Sequence, residues 1–349
     1  MTSATAGHDA NMALLLIEWV KVGGQSQITT LTGNTIMHSM SNGEMAALEK
    51  LAIRLNWYHS IELHPGFVTP GHGFTNIVIT REILKRCEIQ GMTCLDVGAM
   101  DGLMAAILCR RDAGQVVACD RYKRQEQIDI VRKALGVNFK YLPDSTLADV
   151  RAATPGIISN PFDLIVFSGV LYHMYDPMQG LAIVRSMVRT GGIVVIETGA
   201  AVSEKNVGYF NAAGANDNDP HNYWTLSLSL LDYMLRYFCM KPVDCSFFPY
   251  PAKTEDGSQL IRIAIACIAT EKQLPDPQDK WMVYEGRDDD SEYTVWNSPI
   301  TRELKYQSMS SNKPAWRTPG MINLYRTVLQ SSPTAITDDL RKLSLGVDC

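Results

Sequence analysis

From about residue 92 the chain alternates between short apolar runs and amphipathic stretches. MTCLDV, QVVACD, VNFKYL, FDLIVFS and GGIVVIE are of strand length and nearly continuous in apolar residues. That is the pattern of parallel strands buried on both faces. Between them, roughly 101–112, 122–135 and 176–189 read as helices. This alternation predicts an α/β fold with a doubly wound sheet. Upstream, 12–22 and 43–55 read as helices, the second because EMAALEKLAIRLN repeats apolar residues at helical spacing. An irregular stretch punctuated by Pro and Gly, WYHSIELHPGFVTPGHGFTN, follows. After Glu197 a long polar loop leads to a helix at 225–239, and KPVDCSFF and QLIRIAIACIA then predict a hairpin closing the sheet edge. Beyond about residue 270 the chain turns polar and reads as an extension.

Composition narrows the class. With 349 residues, 46% hydrophobic and 20% charged, the chain can bury a large core. A net charge of −5 lacks the basic footprint of a nucleic-acid-binding protein and argues against such a partner. The run Arg121, Lys123, Arg124, Arg132 and Lys133 reads as a solvated helix face, and DDDSE at 288–292 would repel phosphate. Eight scattered cysteines, none in C-x-x-C spacing, suit a reducing cytoplasm and carry no zinc signature. His59, His64 and His72 match no standard metal spacing, so no metal is expected. The N-terminal stretch has no leading positive charge and Glu18 interrupts it, so it does not read as a signal peptide. No apolar run reaches the length of ~20 residues that a membrane span needs.

The candidate chemistry begins at CLDVGAMDG, residues 94–102. It has the strand–turn–helix setting of a dinucleotide loop, but Met100 stands where the middle glycine of G-x-G-x-x-G belongs. Gly98 and Gly102 allow a sharp turn and close approach to a ligand. Asp96 and Asp101 would repel a pyrophosphate, which such a loop otherwise holds on helix-terminal amides. They favour S-adenosylmethionine (SAM), which has no phosphate and carries a sulfonium and an ammonium. Asp120, ending the next strand, is placed to accept ribose hydroxyls. Asp144 or Ser145, at the end of the third strand, is placed to meet the adenine edge.

The loop, FDLIVFSGVLYHMYDPMQGL and GGIVVIET together resemble the class I SAM-dependent methyltransferases. More narrowly, WYHSIEL, VTPG, LDVGAMDG, GVLYHMYDP and HNYW resemble the branch containing the tRNA wobble-uridine carboxymethyltransferase and its small-molecule methyltransferase relatives, over about residues 45–270. The resemblance implies a Rossmann-like sheet of seven strands with the last antiparallel. It implies that Gly169 and Val170 line the methionine part of SAM and that 57–71 covers the site. The expected organisation is an N-terminal helical segment and cover over 1–85, a SAM-binding domain over 86–270 and a C-terminal extension over 271–349. One departure bears on the cofactor. The carboxymethyltransferase needs cations to hold the extra carboxylate of its carboxylated SAM, whereas Leu55 to Thr80 contains no Lys or Arg, and Met174 and Tyr175 follow GVLYH. An uncompensated carboxylate in a closed site is costly, so ordinary SAM and methyl transfer are expected.

Five of the seven histidines fall in segments expected to face the ligand. His173, Tyr172, Tyr58 and His59 are the candidate catalytic residues. Trp57, Tyr175, His221, Tyr223 and Trp224 are candidates for binding the acceptor. A small metabolite is the expected acceptor. A thioether amino acid such as methionine suits an aromatic mouth: it needs no base, and aromatic faces stabilise the sulfonium product by about 0.5–2 kcal/mol. A tRNA-modifying (carboxy)methyltransferase and a non-catalytic SAM-binding module are the alternatives. A homo-oligomer stays open.

Overall fold

The apolar runs pair into one sheet in the computed structural model, which describes residues 20–22, 25–27, 40–72, 75–158, 161–212, 219–270 and 322–334, the first two segments as backbone only. Its central strands are β5 (Thr93–Val97), β6 (Gln115–Cys119), β7 (Lys140–Leu142), β8 (Phe162–Ser168) and β9 (Val188–Ala201). Two long strands, β12 (Met240–Lys253) and β13 (Gln259–Ala269), complete them. The order across the sheet is β7-β6-β5-β8-β9-β13-β12, and β13 runs antiparallel to both its neighbours. The chain leaves β5 for β6 on one side and later places β8 on the other. The β5/β8 boundary is therefore the switch point where open α/β sheets bind ligands.

The hairpin is present, but its order differs from a simple edge closure. β13 inserts between β9 and β12. Its residues Ile261 to Cys267 are buried throughout, so it takes the interior position and leaves β12 at the edge. A short pair, β10 (Gly208–Phe210) and β11 (Trp224–Ser227), extends the sheet where β11 joins the tip of β9.

Helices pack on both faces. α1 (Asn42–Ala52) starts at a Ser41–Glu44 capping box. α3 (Leu103–Arg110) follows the β5 loop, and α4 (Gln125–Leu135) ends on Gly136 in the left-handed region. α6 (Pro177–Met187) starts with Asp176 as cap and Pro177 in its first turn, which explains the DP that follows GVLYHMY. Two helices lie where the pattern predicts none. α2 (Thr75–Leu84) packs on β13, β12 and β9. α5 (Leu147–Ile157) holds Pro155 in its last turn, where the proline reads as a breaker. The helix expected at 225–239 is instead β11 followed by α7 (Leu228–Tyr237), capped by Ser227. The expected helix at 12–22 is contradicted at its end, where Val20–Val22 is a strand (β1) paired with β2 (Gln25–Gln27). The rest of that helix, and most of the C-terminal extension, lie outside the described residues. No helix among the described residues is long and apolar enough to cross a membrane.

One piece of the extension is described. α8 (Leu324–Gln330) packs on α7, with Leu324 and Val328 buried, and the flanking Ile322 and Thr334 amides donate to the carbonyls of Pro242 and Phe247 on the edge strand. The Leu324 amide donates to Asp232 of α7. Leu324→Ala should lower unfolding stability by about 2–5 kcal/mol, the range for truncating a buried leucine. Denaturant titration checks this: a change below ~0.5 kcal/mol, typical of surface sites, would mean that α8 does not dock in solution.

Candidate active site

The loop between β5 and α3 is built around its two glycines. Gly98 has φ +75°, and a Cβ there would lie 2.5 Å from Val170 Cγ2. Gly102 has φ +83°, and a Cβ would lie 2.7 Å from Ile128 Cδ1. Both positions need glycine for conformation and for space. Met100, in place of the middle glycine, still adopts a left-handed backbone with φ 45°. Its amide donates to Asp120 Oδ2 at 2.8 Å, which holds the loop against the end of β6.

Three buried aspartates surround this loop and do different work. Asp120 accepts the Met100 amide on one oxygen and the Tyr122 amide on the other (2.7 Å). A carboxylate has about four lone-pair sites, so two stay open for hydroxyl donors. Asp96, at the end of β5, is pushed up to about 7 by burial, against a lowering hydrogen bond from the Ala105 amide and with the Asp120 charge adding to the rise. Its Oδ2 is buried without a hydrogen-bond partner. An orphaned carboxyl oxygen beside a loop with no room for side chains fits a ligand carrying a cation. Asp101 differs from expectation. It is fully buried, and its Oδ2 accepts the amides of Tyr58 (2.6 Å) and His59 (2.7 Å), so it holds the cover segment. At the end of β7, the Ser145 amide donates to the Asp120 carbonyl, while Asp144 is exposed with φ 51°.

The cover segment 57–72 folds back on itself through a short antiparallel pair, β3 (Glu62–His64) and β4 (Phe67–Val68). Thr69 Oγ1 donates to the His59 carbonyl, the Thr69 amide to that of Ile61, and the His72 amide to that of Tyr58. Trp57 is not at the mouth: it is 2% exposed, and its Nε1 donates to the Ala52 carbonyl, anchoring the cover in the core. His59 is buried, with its proton affinity lowered to about 3 by burial and by His72. His64 turns away toward Glu49 of α1, at 2.9 Å.

Beyond the turn after β8, Tyr172 and His173 lie in a short helical turn, Leu171–His173. The HNYW segment is bound to this turn. His173 Nδ1 meets the His221 carbonyl at 2.8 Å, the Tyr223 amide donates to the Tyr172 carbonyl at 2.7 Å, and Trp224 Nε1 donates to the Tyr175 carbonyl at 3.0 Å. The Tyr175 and Tyr223 rings pack with centroids 4.3 Å apart. Through these bonds His221, Tyr223 and Trp224 brace the turn. Tyr175 is exposed at its rim. Burial lowers the proton affinity of His173, an effect partly offset by its bond to the His221 carbonyl.

Sequence reading missed the charged centre of this end. Arg262 of β13 donates from Nε to Glu197 Oε1 of β9 at 2.6 Å, and both residues are buried. The guanidinium lies 4.7 Å from the Tyr172 ring centroid, with Nη2 3.4 Å from the Tyr172 hydroxyl. Burial alone would lower the Arg262 pKa; the Glu197 carboxylate and Tyr172 outweigh it and raise the pKa. Ser168 Oγ joins Glu197 at 3.4 Å and Thr80 Oγ1 of α2 at 3.1 Å. Tyr58 lies in the same electrostatic field: burial raises its pKa, and Arg262 offsets part of that rise. Burial also raises Tyr172, to about 12. The mouth is thus not without a cation, but its cation is already paired. The signal was one arginine inside LIRIAIACIA and one glutamate ending GGIVVIE.

Sign fixes the pH behaviour of Asp96. Its folded-state pKa lies above its unfolded one, so its favourable contribution is full below the unfolded value and is lost as pH rises toward about 7. Asp96→Asn should therefore gain melting temperature over the wild type progressively between about pH 4 and about pH 7, and should bind S-adenosylhomocysteine more weakly. Parallel melting profiles for the two proteins would refute the assignment.

Residues 77–235 match the family model described as a methyltransferase domain. A search of curated proteins finds no match. Among solved structures, the N-terminal domain of EvdMO1, crystallised with SAH and D-fucose, is similar at 15% identity and TM-score 0.45, over 67% of this chain and 99% of that one. The YcgJ protein of Bacillus subtilis is similar at 14% identity and TM-score 0.40, over 56% and 99%. The arsenic(III) SAM methyltransferase CrArsM of Chlamydomonas reinhardtii is similar at 13% identity and TM-score 0.42, over 54% and 67%. With its strand order, its cofactor loop and this match over residues 77–235, the chain carries an S-adenosylmethionine-dependent methyltransferase domain.

Proposed function

We propose that this enzyme methylates a small metabolite whose accepting atom carries no proton, with a thioether amino acid such as methionine as the leading candidate. The observation that carries this reading is the state of the two candidate bases. Burial holds His59 down to about 3, and burial also lowers His173, whose Nδ1 is occupied by the His221 carbonyl. A general base works best with a pKa near the working pH, and His59 lies far below it. The phenols of Tyr58 and Tyr172 have raised pKa values and keep their protons. A thioether asks for no base; it asks for orientation and a face that tolerates positive charge.

On this reading Asp96 and the Gly98–Gly102 loop hold the cofactor's charged end. Asp120 takes the ribose hydroxyls through its open lone pairs, Asp144 or Ser145 meets the adenine, and Gly169 and Val170 line the methionine end. SAM, when bound, supplies an activated methyl group. Tyr58 and Tyr172 present aromatic surface to the acceptor and to the cation it becomes. His173 orients the acceptor through Nε2, and Tyr175 forms the outer rim. The contribution of these residues is chiefly positioning, since methyl transfer needs the nucleophile in line at about 3 Å. The pairing of Arg262 with Glu197 supports ordinary SAM, because a carboxylated cofactor would compete with Glu197 for the same guanidinium.

SAM labelled in its methyl group tests the reading. The purified protein is incubated with free methionine and, separately, with cell extract divided into small metabolites and RNA. Label is expected in a small cationic product. Label confined to RNA would overturn the small-molecule reading, and SAM bound without any transfer would favour a non-catalytic binding module.

A further inference from the structure

We infer that Asp101 is a positioning residue that ties the cover segment, and through it Tyr58, to the cofactor loop. The inference rests on the cofactor assignment above but not on the acceptor. Asp101 lies inside the loop, between Met100 and the Gly102 cap of α3. Its Oδ2 receives two short bonds, from the amides of Tyr58 and His59, across more than forty residues of chain. Hydrogen bonds to an ionised acceptor are roughly twice as strong as neutral ones, so one carboxylate can hold two amides firmly. Its Oδ1 is buried with no hydrogen-bond partner. A buried carboxylate oxygen left unpaired is destabilising, and such exceptions to local rules concentrate at functional sites.

The two held residues sit side by side, their ring centroids 4.8 Å apart. His59 is fixed inward, with Thr69 Oγ1 on its carbonyl. Tyr58 extends to the acceptor end, where its phenol interacts electrostatically with Arg262 and Glu197. The loop is therefore bonded through Asp101 to the Tyr58 backbone, and the Tyr58 phenol lies in the electrostatic field of the Arg262–Glu197 pair beside Tyr172. The opposite wall follows the same loop, because Gly98 packs directly on Val170, which leads into the Tyr172 turn. A cofactor that orders residues 98–102 thus sets both walls of the acceptor site at once. Cofactor binding and cover closure become coupled, and such coupling is reciprocal.

Amide hydrogen exchange with S-adenosylhomocysteine as the probe tests this without an acceptor. In the wild type, saturating probe should slow exchange at the Tyr58 and His59 amides by about tenfold and leave the Ile53 amide of α1 unchanged. Asp101→Asn should lose that slowing, and its affinity for the probe should fall by no more than the same factor, because the coupling is shared. Equal exchange at Tyr58 and His59 with and without bound probe in the wild type would overturn the inference, whether or not any variant folds. Retained slowing in Asp101→Asn would also overturn it. A wild type that does not bind the probe would overturn the cofactor assignment together with the inference, which separates the two failures.

Discussion

A buried ion pair, Glu197 with Arg262, spans the join between β9 and β13. Glu197 and Arg262 lie diagonally across this antiparallel ladder, where Glu197 pairs with Ala264 and Gly199 with Arg262. Both side chains therefore stand on the same face of the sheet. A slip of one residue would send the guanidinium to the opposite face and leave Glu197 without its cation. Separating such a pair by removing one partner costs about 3–5 kcal/mol, because an uncompensated charge remains in the interior. The hydrophobic pattern of β13 accepts several registers, and the charge pair selects one. That register delivers the guanidinium to Tyr172 and brings Ser168 and Thr80 into the same network. The Tyr172 end of the sheet is thus organised by an ion pair whose charges are already satisfied, with the guanidinium lying over the Tyr172 ring.

The parallel half of the fold and the cofactor loop were legible in the sequence because local rules act there without competition. Cys94, Leu95, Val97 and Ile165–Phe167 are buried and apolar, and Gly98 and Gly102 have the left-handed backbone that their spacing implied. The antiparallel sense of the last strand followed from the family resemblance, but the insertion of β13 between β9 and β12 was not legible in its residues. Its apolar run is compatible with an edge or an interior place, and only the partner strands decide. Pro155 hid α5 because a proline in a last turn and a proline that ends a helix look alike in one dimension. The aromatic count at the mouth misled in a similar way. Trp57 and Trp224 are large, polar-tipped side chains near ligand-facing segments, yet each spends its indole N–H on a backbone carbonyl and serves packing.

The three aspartates around the loop show a further limit of reading charge from sequence. Asp96 and Asp101 were read as acids near a cation and Asp120 as an acceptor for ribose hydroxyls, and burial raises the pKa of all three. What separates them is the number of amides each receives. Asp120 takes one on each oxygen, Asp101 takes two on a single oxygen, and Asp96 has one amide and an oxygen left over. Backbone hydrogen bonds of this kind link positions that are distant in the chain, so residue type alone cannot assign them. The oxygen left over on Asp96 is a better pointer to a ligand cation than the presence of an acid.

The residues thus divide by origin as well as by role. Those assigned to the cofactor, from Asp96 to Val170, all fall inside the matched segment 77–235. Residues on both sides of it reach the same end of the sheet: Tyr58 comes from the cover before the segment and is bonded to Asp101, and Arg262 comes from the hairpin after it and lies at Tyr172. A cofactor common to many reactions needs the same loop each time, whereas an acceptor is recognised by whatever the flanks bring over the carboxyl ends of the strands. Here the flanks bring a phenol from one side and a paired guanidinium from the other, against a turn braced by the HNYW insertion. The chemistry of the acceptor should therefore be sought in how the cover and the hairpin meet, since the matched segment accounts for the methyl donor and leaves the receiving atom to its neighbours.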